Sequence, residues 1–276
     1  MTDLLKQCIF ERMFVTIIND CKDANTFGRQ ETRASILFGT HISSVGVDFG
    51  NTLQAAGNLI DVLDASDGQE GVVLVNVAPR HGDGKRWPNG TPFGYFHYKK
   101  TLVVASISGY TLSLVKKLGL VNEIHVMDIP TVIKSVVQKE IISQATGEHI
   151  IHTQFRSYDF VPRVAKWLLD GVEIPSEVMP LSEVDDVPQA LWWIDNFGNC
   201  KTTLFADEID HQEGKVIKTK FGDFACYNRL KDVPNDHAGF IVGSSGIEEK
   251  RFMELVIQGK SAAAKYQIKP GETLFD

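Results

Sequence analysis

Residues 194–203 read IDNFGNCKTT and bring a carboxylate, an aromatic ring, a glycine, a carboxamide and a hydroxyl pair into one short segment. A hairpin needs Asn-Gly or Gly-Asn chemistry and nothing more. At a strand end, Asp195, Phe197 and Asn199 alternate onto one face, where a charge, a ring and an amide can meet one ligand. Gly198 and Asn199 can equally make the turn.

Four other places carry residues suited to chemistry. Asp20 closes the apolar run MFVTIIND (13–20). A carboxylate there suits a ribose diol, two oxygens matching two adjacent hydroxyls; an Asx turn or a helix N-cap is the alternative. The loop APRHGDGKRWPNG (78–90) sets Arg80, His81, Asp83, Lys85 and Arg86 among glycines, as functional loops and solvated loops both do. In QFRSYDFVP (154–162), Ser157 falls at or beside a helix N-cap, where free N–H groups favour an anion or a partly negative nucleophile. In GSSGIEEKRF (243–252), Ser244 and Ser245 offer hydroxyl donors to a carboxylate or form a flexible turn. His125, His149, His152, His211 and His237 lack metal-ligand spacing, so no metal site is expected.

Composition narrows the partners. The 276 residues carry a net charge of -7, with 43% hydrophobic and 23% charged residues. With no basic stripe, a nucleic-acid groove is not expected. Small molecules and further copies of the chain are the expected partners. Cys8, Cys21, Cys200 and Cys226 are widely spaced with no CxxC pair, which predicts neither a disulfide framework nor zinc. MTDLLKQCIFER lacks the charged and apolar regions of a signal peptide. No apolar stretch approaches the roughly 20 residues that span a bilayer, so no membrane partner is expected and the compartment expected is the cytoplasm.

The elements that must position these residues fall into two groups. In the first two thirds, strand patterns at 13–20, 41–49, 71–79 and 100–108, and in EIHVMDI, alternate with helix patterns at 28–39, 110–119 and 158–171. In NTLQAAGNLIDVLDAS, Leu53, Ala56, Ile60 and Leu63 recur at helical spacing behind Asn51 or Thr52 as N-cap. Gly119 stops one helix, and Pro162 fits only the first turn of another. This alternation predicts an α/β domain over 1–178 with a mostly parallel sheet. After the Pro- and acid-rich stretch 174–188 come short β-type runs, ALWWIDNF, KTTLFADEI, KVIKTKF, DFACYNRL and GFIVGSS, with one helix pattern from Glu248 to Gln258. These predict a C-terminal antiparallel β-barrel domain over 185–276, with the boundary near 175–187.

Taken in order, the segments resemble the S-adenosylmethionine hydroxide adenosyltransferases (SAM hydrolases) and their halide-using relatives, fluorinase and chlorinase. The similarity is distant but collinear over almost the whole chain. IDNFGNCKTT is similar to the family's Ile-Asp-x-Phe-Gly-Asn…Thr-Asn motif and is the most specific match. Asn19, Asp20 and Cys21 hold the place of an opening Thr/Ser-Asp-Phe/Leu-Gly motif. GSSGIEEKRFMELVIQGKSAA resembles a late Ser-x-Gly…Glu-x-Ala…Ala-Ala pattern. FRSYDFVPRVAKWLLDG looks like the segment before the family's inter-domain crossing, with Phe155 and Ser157 in the halogenase form.

The resemblance implies trimers with ligand sites between copies, S-adenosylmethionine as substrate and no separate cofactor. It implies displacement at ribose C5′ by water, hydroxide or halide, with methionine leaving. Asp20 would bind the ribose hydroxyls, Asp195 the methionine ammonium, and Ser245 or Ser244 its carboxylate. Phe197, Asn199 and the Gln258 backbone would surround the adenine, and Phe49 would line the sulfonium end. The hydroxide-using members carry an Asp-Arg-His set that orients water. Here Ala78 stands in the Asp place, Arg86 keeps the Arg place, and Phe155 stands where the His would be; Asp83 or His81 can substitute from the same loop. Gly109 alone matches the family's Asn-Gly after the fourth strand. Those departures leave a binding protein without turnover as the alternative.

Overall fold

The computed structural model describes residues 13–77 and 91–275. Ala78, His81, Asp83 and Arg86 therefore lie outside the described residues, as does Cys8. The first strand, β1 (Phe14–Asn19), leads to α1 (Ala24–Phe38), β2 (Ile42–Gly46), α2 (Thr52–Ala65) and β3 (Gly71–Asn76). There follow β4 (Phe93–Tyr98), β5 (Thr101–Ser106), α3 (Ser113–Leu118), β6 (Glu123–Met127), α4 (Ile129–Gln138), α5 (Gln144–His152), α6 (Arg156–Asp159), α7 (Val161–Leu169) and β7 (Glu177–Pro180). These strands form one seven-stranded sheet in the order β2-β1-β3-β5-β4-β6-β7.

Local chemistry accounts for the helix ends. Asp23 caps α1 by accepting from Thr26 N–H, and Asn51 caps α2 by accepting from Gln54 N–H. Gly119 closes α3 in the left-handed region, and Pro162 sits in the first turn of α7. Leu53, Ala56, Ile60 and Leu63 all point inward from α2. Helix α1 packs on the face of β1 formed by Val15 and Ile17, whereas α2 packs on the opposite face with Ile18, Val73 and Val75. The sheet is thus covered on both sides.

The sheet is more mixed than the sequence pattern implies. Strands β2, β1, β3 and β5 are parallel, but β4 pairs antiparallel with both β5 and β6, and β6 antiparallel with β7. Strand β4 carries no Asn-Gly signal because Lys99 adopts the positive φ of its two-residue turn. The stretch expected as the domain boundary supplies β7, an edge strand of the first sheet, so that sheet runs to Pro180. Helices α4 and α5, also unread in the sequence, cover the face shared with α1 and α7, Val132, Ile133, Val136 and Ile150 being buried there.

The second sheet contains β8 (Leu191–Ile194), β9 (Cys200–Phe205), β10 (Val216–Thr219), β11 (Gly222–Cys226), β12 (Ala238–Ile247) and β13 (Lys250–Ile257), in the order β10-β11-β12-β13-β9-β8. All its pairings are antiparallel except β11–β12. It curls into a half-barrel around Phe240, Leu255 and Cys200. The tail continues it: Gly271 N–H donates to Leu191, Leu274 N–H to Gln189, and Lys220 N–H to Leu274. The short helix α8 (Ala262–Tyr266) precedes that tail.

Two expectations fail here. The helix pattern at 248–258 is β13, whose run from Phe252 to Ile257 is buried throughout and paired on both edges. A short apolar run does not tell helix from strand by period, and sheet pairing decides. The expected Gly-Ser loop is the bulged second half of β12, with the irregularity between Val242 and Gly246. Among the described residues, no helix is long and apolar enough to cross a membrane.

Candidate functional site

Chain direction defines one candidate crevice. The path goes from β1 to β2 on one side, then crosses to β3 on the other, with α1 and α2 on opposite faces. The strand order reverses between β1 and β3, and the carboxyl ends flanking such a switch point form the usual ligand crevice of open α/β sheets. Asp20 stands there. The roles that would make it merely structural belong to its neighbours: Asn19 accepts from Cys21 N–H, and Asp23 caps α1. Asp20 instead holds the loop after β2, its Oδ2 accepting from Gly50 N–H at 3.1 Å.

That loop presents Phe49, 64% exposed. Its base is fixed by Asp48, which pairs with Lys22 at 2.8 Å and accepts from Gln54 Nε2 at 2.9 Å. Lys22 and then Gln54 hold the Asp48 carboxyl below its usual range. Tyr110 N–H donates to Thr52 Oγ1, so the loop after β5 also closes on this corner.

Helix α6 brings Ser157 to the same edge of the sheet. Its neighbour Arg156 donates to the Thr91 carbonyl, and Thr91 leads into β4, whose first residue Phe93 pairs with Ser106 at the end of β5. Ser157 lies in the first turn of α6, one residue further in than expected, with Phe155 at the N-cap. It is 5% exposed, and its Oγ has no hydrogen-bond partner among the described residues. Phe155 stacks on Tyr158 at 5.3 Å, and the Arg29 guanidinium lies 4.9 Å from both rings. Arg33 donates to Tyr158 Oη at 2.6 Å. Phe155 thus serves as a packing ring that fixes α6 to α1.

The other segment singled out from sequence is the β8–β9 turn. Asp195 Oδ1 accepts from the N–H groups of Phe197 and Asn199, both at 2.9 Å, and Oδ2 from Asn199 Nδ2 at 3.0 Å. The carboxylate and the carboxamide therefore shape the turn, while Phe197 projects 71% exposed. Gly198 is obligatory: its φ is +82°, and a Cβ would lie 1.9 Å from Ser261 Oγ. Gln258 gives its carbonyl to Asp236 N–H.

Ser244 and Ser245 diverge. Ser244 is exposed on β12, its N–H on Glu254 Oε1. Ser245 is buried at the junction of the two sheets, donating to Asp61 Oδ2 at 2.9 Å and accepting from Lys201 Nζ at 2.7 Å. Lys201 also pairs with Asp61 at 3.2 Å, and Arg251 pairs with Asp64 at 2.7 Å, so two ion pairs tie α2 to the second sheet.

Burial pushes the Cys200 thiol up to about 12, helped by the charges of Asp195 and Glu254. Burial likewise raises Glu254, with Lys201 opposing. A carboxyl raised in the folded state binds more protons folded than unfolded, so its stability cost grows as pH rises through the carboxylate range. Glu254→Gln is therefore expected to raise the melting temperature at pH 7, with the gain fading below the ordinary carboxylate range. Melting curves from acid to neutral pH check this. A gain largest at acid pH would contradict it.

The structure ties Asp20 to the loop that carries Phe49, sets Phe155 against Tyr158 and Arg29 with Ser157 buried beside them, and places Asp195, Phe197 and Asn199 in one turn of the second sheet. Gln30, Asp61, Lys201 and Glu254 were not singled out from sequence, and Asn19 only as part of the match to the opening motif. Gln30 had a readable signal, being a carboxamide four residues before Ala34 on the inner stripe of α1. Among the described residues, no cluster of His, Cys, Asp and Glu could hold a metal ion.

The fold and its switch-point crevice define an α/β protein with a half-barrel appended. Two solved structures share that fold: an uncharacterized conserved protein from Thermotoga maritima (TM-score 0.66, 18% identity, 94% of this chain and 98% of that one), and a conserved hypothetical protein from Thermus thermophilus (TM-score 0.60, 16% identity, 94% and 97%). No family model and no curated protein matches the chain.

Proposed function

We propose that the chain binds S-adenosylmethionine and cleaves it at ribose C5′, with water as the nucleophile. The observation that carries this reading is Asp20: a carboxylate at the switch point, free of capping duty and beside the exposed Phe49 ring. Water's oxygen forms the bond to C5′ as the C5′–S bond breaks, and the electron pair stays on methionine sulfur. The sulfonium charge leaves as a proton, so the products are adenosine, methionine and H⁺. Because neutral methionine already leaves well, the protein's part is positioning and stripping solvent from the nucleophile. In this reading Asp20 binds the ribose hydroxyls, Ser157 meets the nucleophile, and Phe197 and Asn199 flank the adenine.

The reading carries further expectations from the resemblance. The second sheet is taken as a barrel, supported by the tail that bridges β8 and the β10–β11 turn. The first is taken as a mostly parallel nucleoside-binding sheet, supported by the four parallel strands around Asp20. Three copies are taken to assemble with Phe49 of one facing Phe197 of another, supported by the exposure of both rings.

Incubation with S-adenosylmethionine, with and without chloride, followed by chromatography tests the reaction. Adenosine supports hydrolysis, 5′-chloro-adenosine supports halide use, and no product counts against both. Asp20→Ala is expected to weaken ligand binding by about 1.5–3 kcal/mol, roughly 10- to 100-fold, as loss of a charged hydrogen bond does. Calorimetry measures it, and unchanged affinity would remove Asp20 from the ribose.

One observation favours a second reading, a binder of adenosyl ligands without turnover. The Asp195 carboxylate already accepts three hydrogen bonds from its own turn, so the methionine ammonium would meet an engaged group rather than a free one. Tight binding without product distinguishes it.

A further inference from the structure

Helix α1 buries Gln30 and Ala34 and leaves its other side to solvent. On that side Asn25, Arg29, Thr32 and Ile36 follow one another a turn apart and form a single stripe, every one of them exposed. Together with Arg33 and with Tyr158 of α6 they line one open cavity of about 540 Å³, the size of a small-molecule site.

The polar groups of this cavity are donors in surplus. Its two guanidiniums converge on one ring, the Arg29 and Arg33 carbons lying 4.9 and 4.2 Å from the centre of Tyr158. Arg29 rests on the Tyr158 and Phe155 rings and pairs with no carboxylate among the described residues. Arg33 approaches Asp159 at 3.8 Å, but that carboxylate is shared with Arg163 and His149. Arg33 also donates to Tyr158 Oη, which leaves the phenol hydrogen for a further acceptor. Among the described residues no Asp or Glu lines the cavity, and Asp23 at the head of α1 is turned into its own cap. A chain with a net charge of -7 thus concentrates positive charge in one small-molecule-sized hollow.

We propose that this cavity binds a small organic phosphate. A phosphate monoester at pH 7 carries about two negative charges and three acceptor oxygens. Two guanidinium forks and a phenol match that head better than they match a planar, singly charged carboxylate. Ile36, 76% exposed at the same cavity, supplies an apolar wall for the carbon frame of the molecule. The site lies on the solvent side of α1, and it stands whether or not the chain cleaves S-adenosylmethionine.

Calorimetry at constant ionic strength tests this with phenyl phosphate, inorganic phosphate and benzoate. Phenyl phosphate is expected to bind about tenfold more tightly than benzoate, which has the same body and a single charge. It should also exceed inorganic phosphate, and Ile36→Ser should remove that excess. Arg29→Ala is expected to weaken phenyl phosphate about tenfold or more, as loss of a charged hydrogen bond does. Arg29→Lys keeps the charge without the fork and should fall between. Lys134→Ala removes an exposed charge of α4 outside the cavity and should change nothing. Melting curves show that each variant is folded, and phenyl phosphate should raise the melting temperature of the wild type more than that of Arg29→Ala. Absence of phenyl phosphate binding, equal binding of benzoate, or wild-type affinity in both Arg29 variants overturns the proposal. Equal weakening by Lys134→Ala overturns it as a general charge effect, and displacement of phenyl phosphate by S-adenosylmethionine overturns it by moving the ligand to the crevice at Asp20.

Discussion

Asp159→Ala is expected to destabilise the protein by about 3–5 kcal/mol, the range for removing one partner of a buried ion network. Asp159 is 4% exposed at the end of α6, and its carboxylate gathers groups from three elements. Thr153 Oγ1 donates to Oδ2 at 2.6 Å, and His149 Nε2 lies 3.3 Å from the same oxygen. Arg33 from α1 and Arg163 from α7 approach Oδ1 at 3.8 and 3.7 Å. Burial and the neighbouring Arg33 charge already lower the Arg163 pKa, with Asp159 opposing. Without the carboxylate, two half-buried guanidiniums face each other unscreened.

The measurement is thermal or urea unfolding, with a drop in melting temperature of about 10 °C for a chain of this size. Asp159→Asn keeps an acceptor for Thr153 and is expected to lose less. Because α6 also carries Ser157, Asp159→Ala should loosen the site before it unfolds the sheet, seen as faster amide exchange in residues 155–160. A change under about 2 °C would mean that the arginines find water without cost and that the network adds nothing to stability.

Trp192→Ala is expected to cost a comparable amount, about 3–5 kcal/mol, for a different reason: it empties a large buried volume. Trp192 opens the second sheet yet packs on the first unit, against Leu53 of α2. Gly57 makes the approach possible, since a Cβ there would lie 2.1 Å from the indole ring. Lys201, which ties Asp61 to Ser245, lies 5.4 Å above the ring, so indole and ion pair form one joint. Gly57→Ala should therefore also destabilise, by about 1–3 kcal/mol through overpacking.

Since both changes act on one contact, the double variant should lose clearly less than the sum of the two. Additive losses in unfolding experiments would show that helix and indole do not depend on each other. Loss of the joint would also free the turn holding Asp195 and Phe197 from its fixed place relative to α2.

Much of this arrangement is legible without coordinates. The periods of 13–20, 71–79 and 100–108 mark buried strands, and Leu53, Ala56, Ile60 and Leu63 mark the inner stripe of α2. Asp20, Ser157 and the IDNFGN turn stand out because they interrupt apolar patterns with polar groups at element ends. Such signals are local, and local chemistry obeys them: Asn51 caps its helix, Gly119 ends one, and Gly198 takes the turn conformation that only glycine tolerates.

What pairs with what is not local. The same apolar run at 250–257 reads as helix until two neighbouring strands take its hydrogen bonds. The Pro- and acid-rich stretch at 174–188 reads as a linker until Val178 and Met179 find β6. Gln30 and Ser157 each keep a buried polar atom without a partner among the described residues, which no local pattern announces and which follows only from how α1 and α6 pack. Residue type and spacing determined the parallel core strands β1, β2, β3 and β5, the caps of α1 and α2 and the stop of α3, and that Asp20 and Asp195 are out of the ordinary, while β4, β7, β13, α4 and α5 were settled by pairing and packing. The tertiary structure decided that Asp195 serves its own turn, that Ser245 serves the joint with Asp61 and Lys201, and that Asp20, at the switch point, ties down the loop after β2. The physical reason is that a polar group's role depends on which partners surround it once buried, and burial is a property of the whole fold.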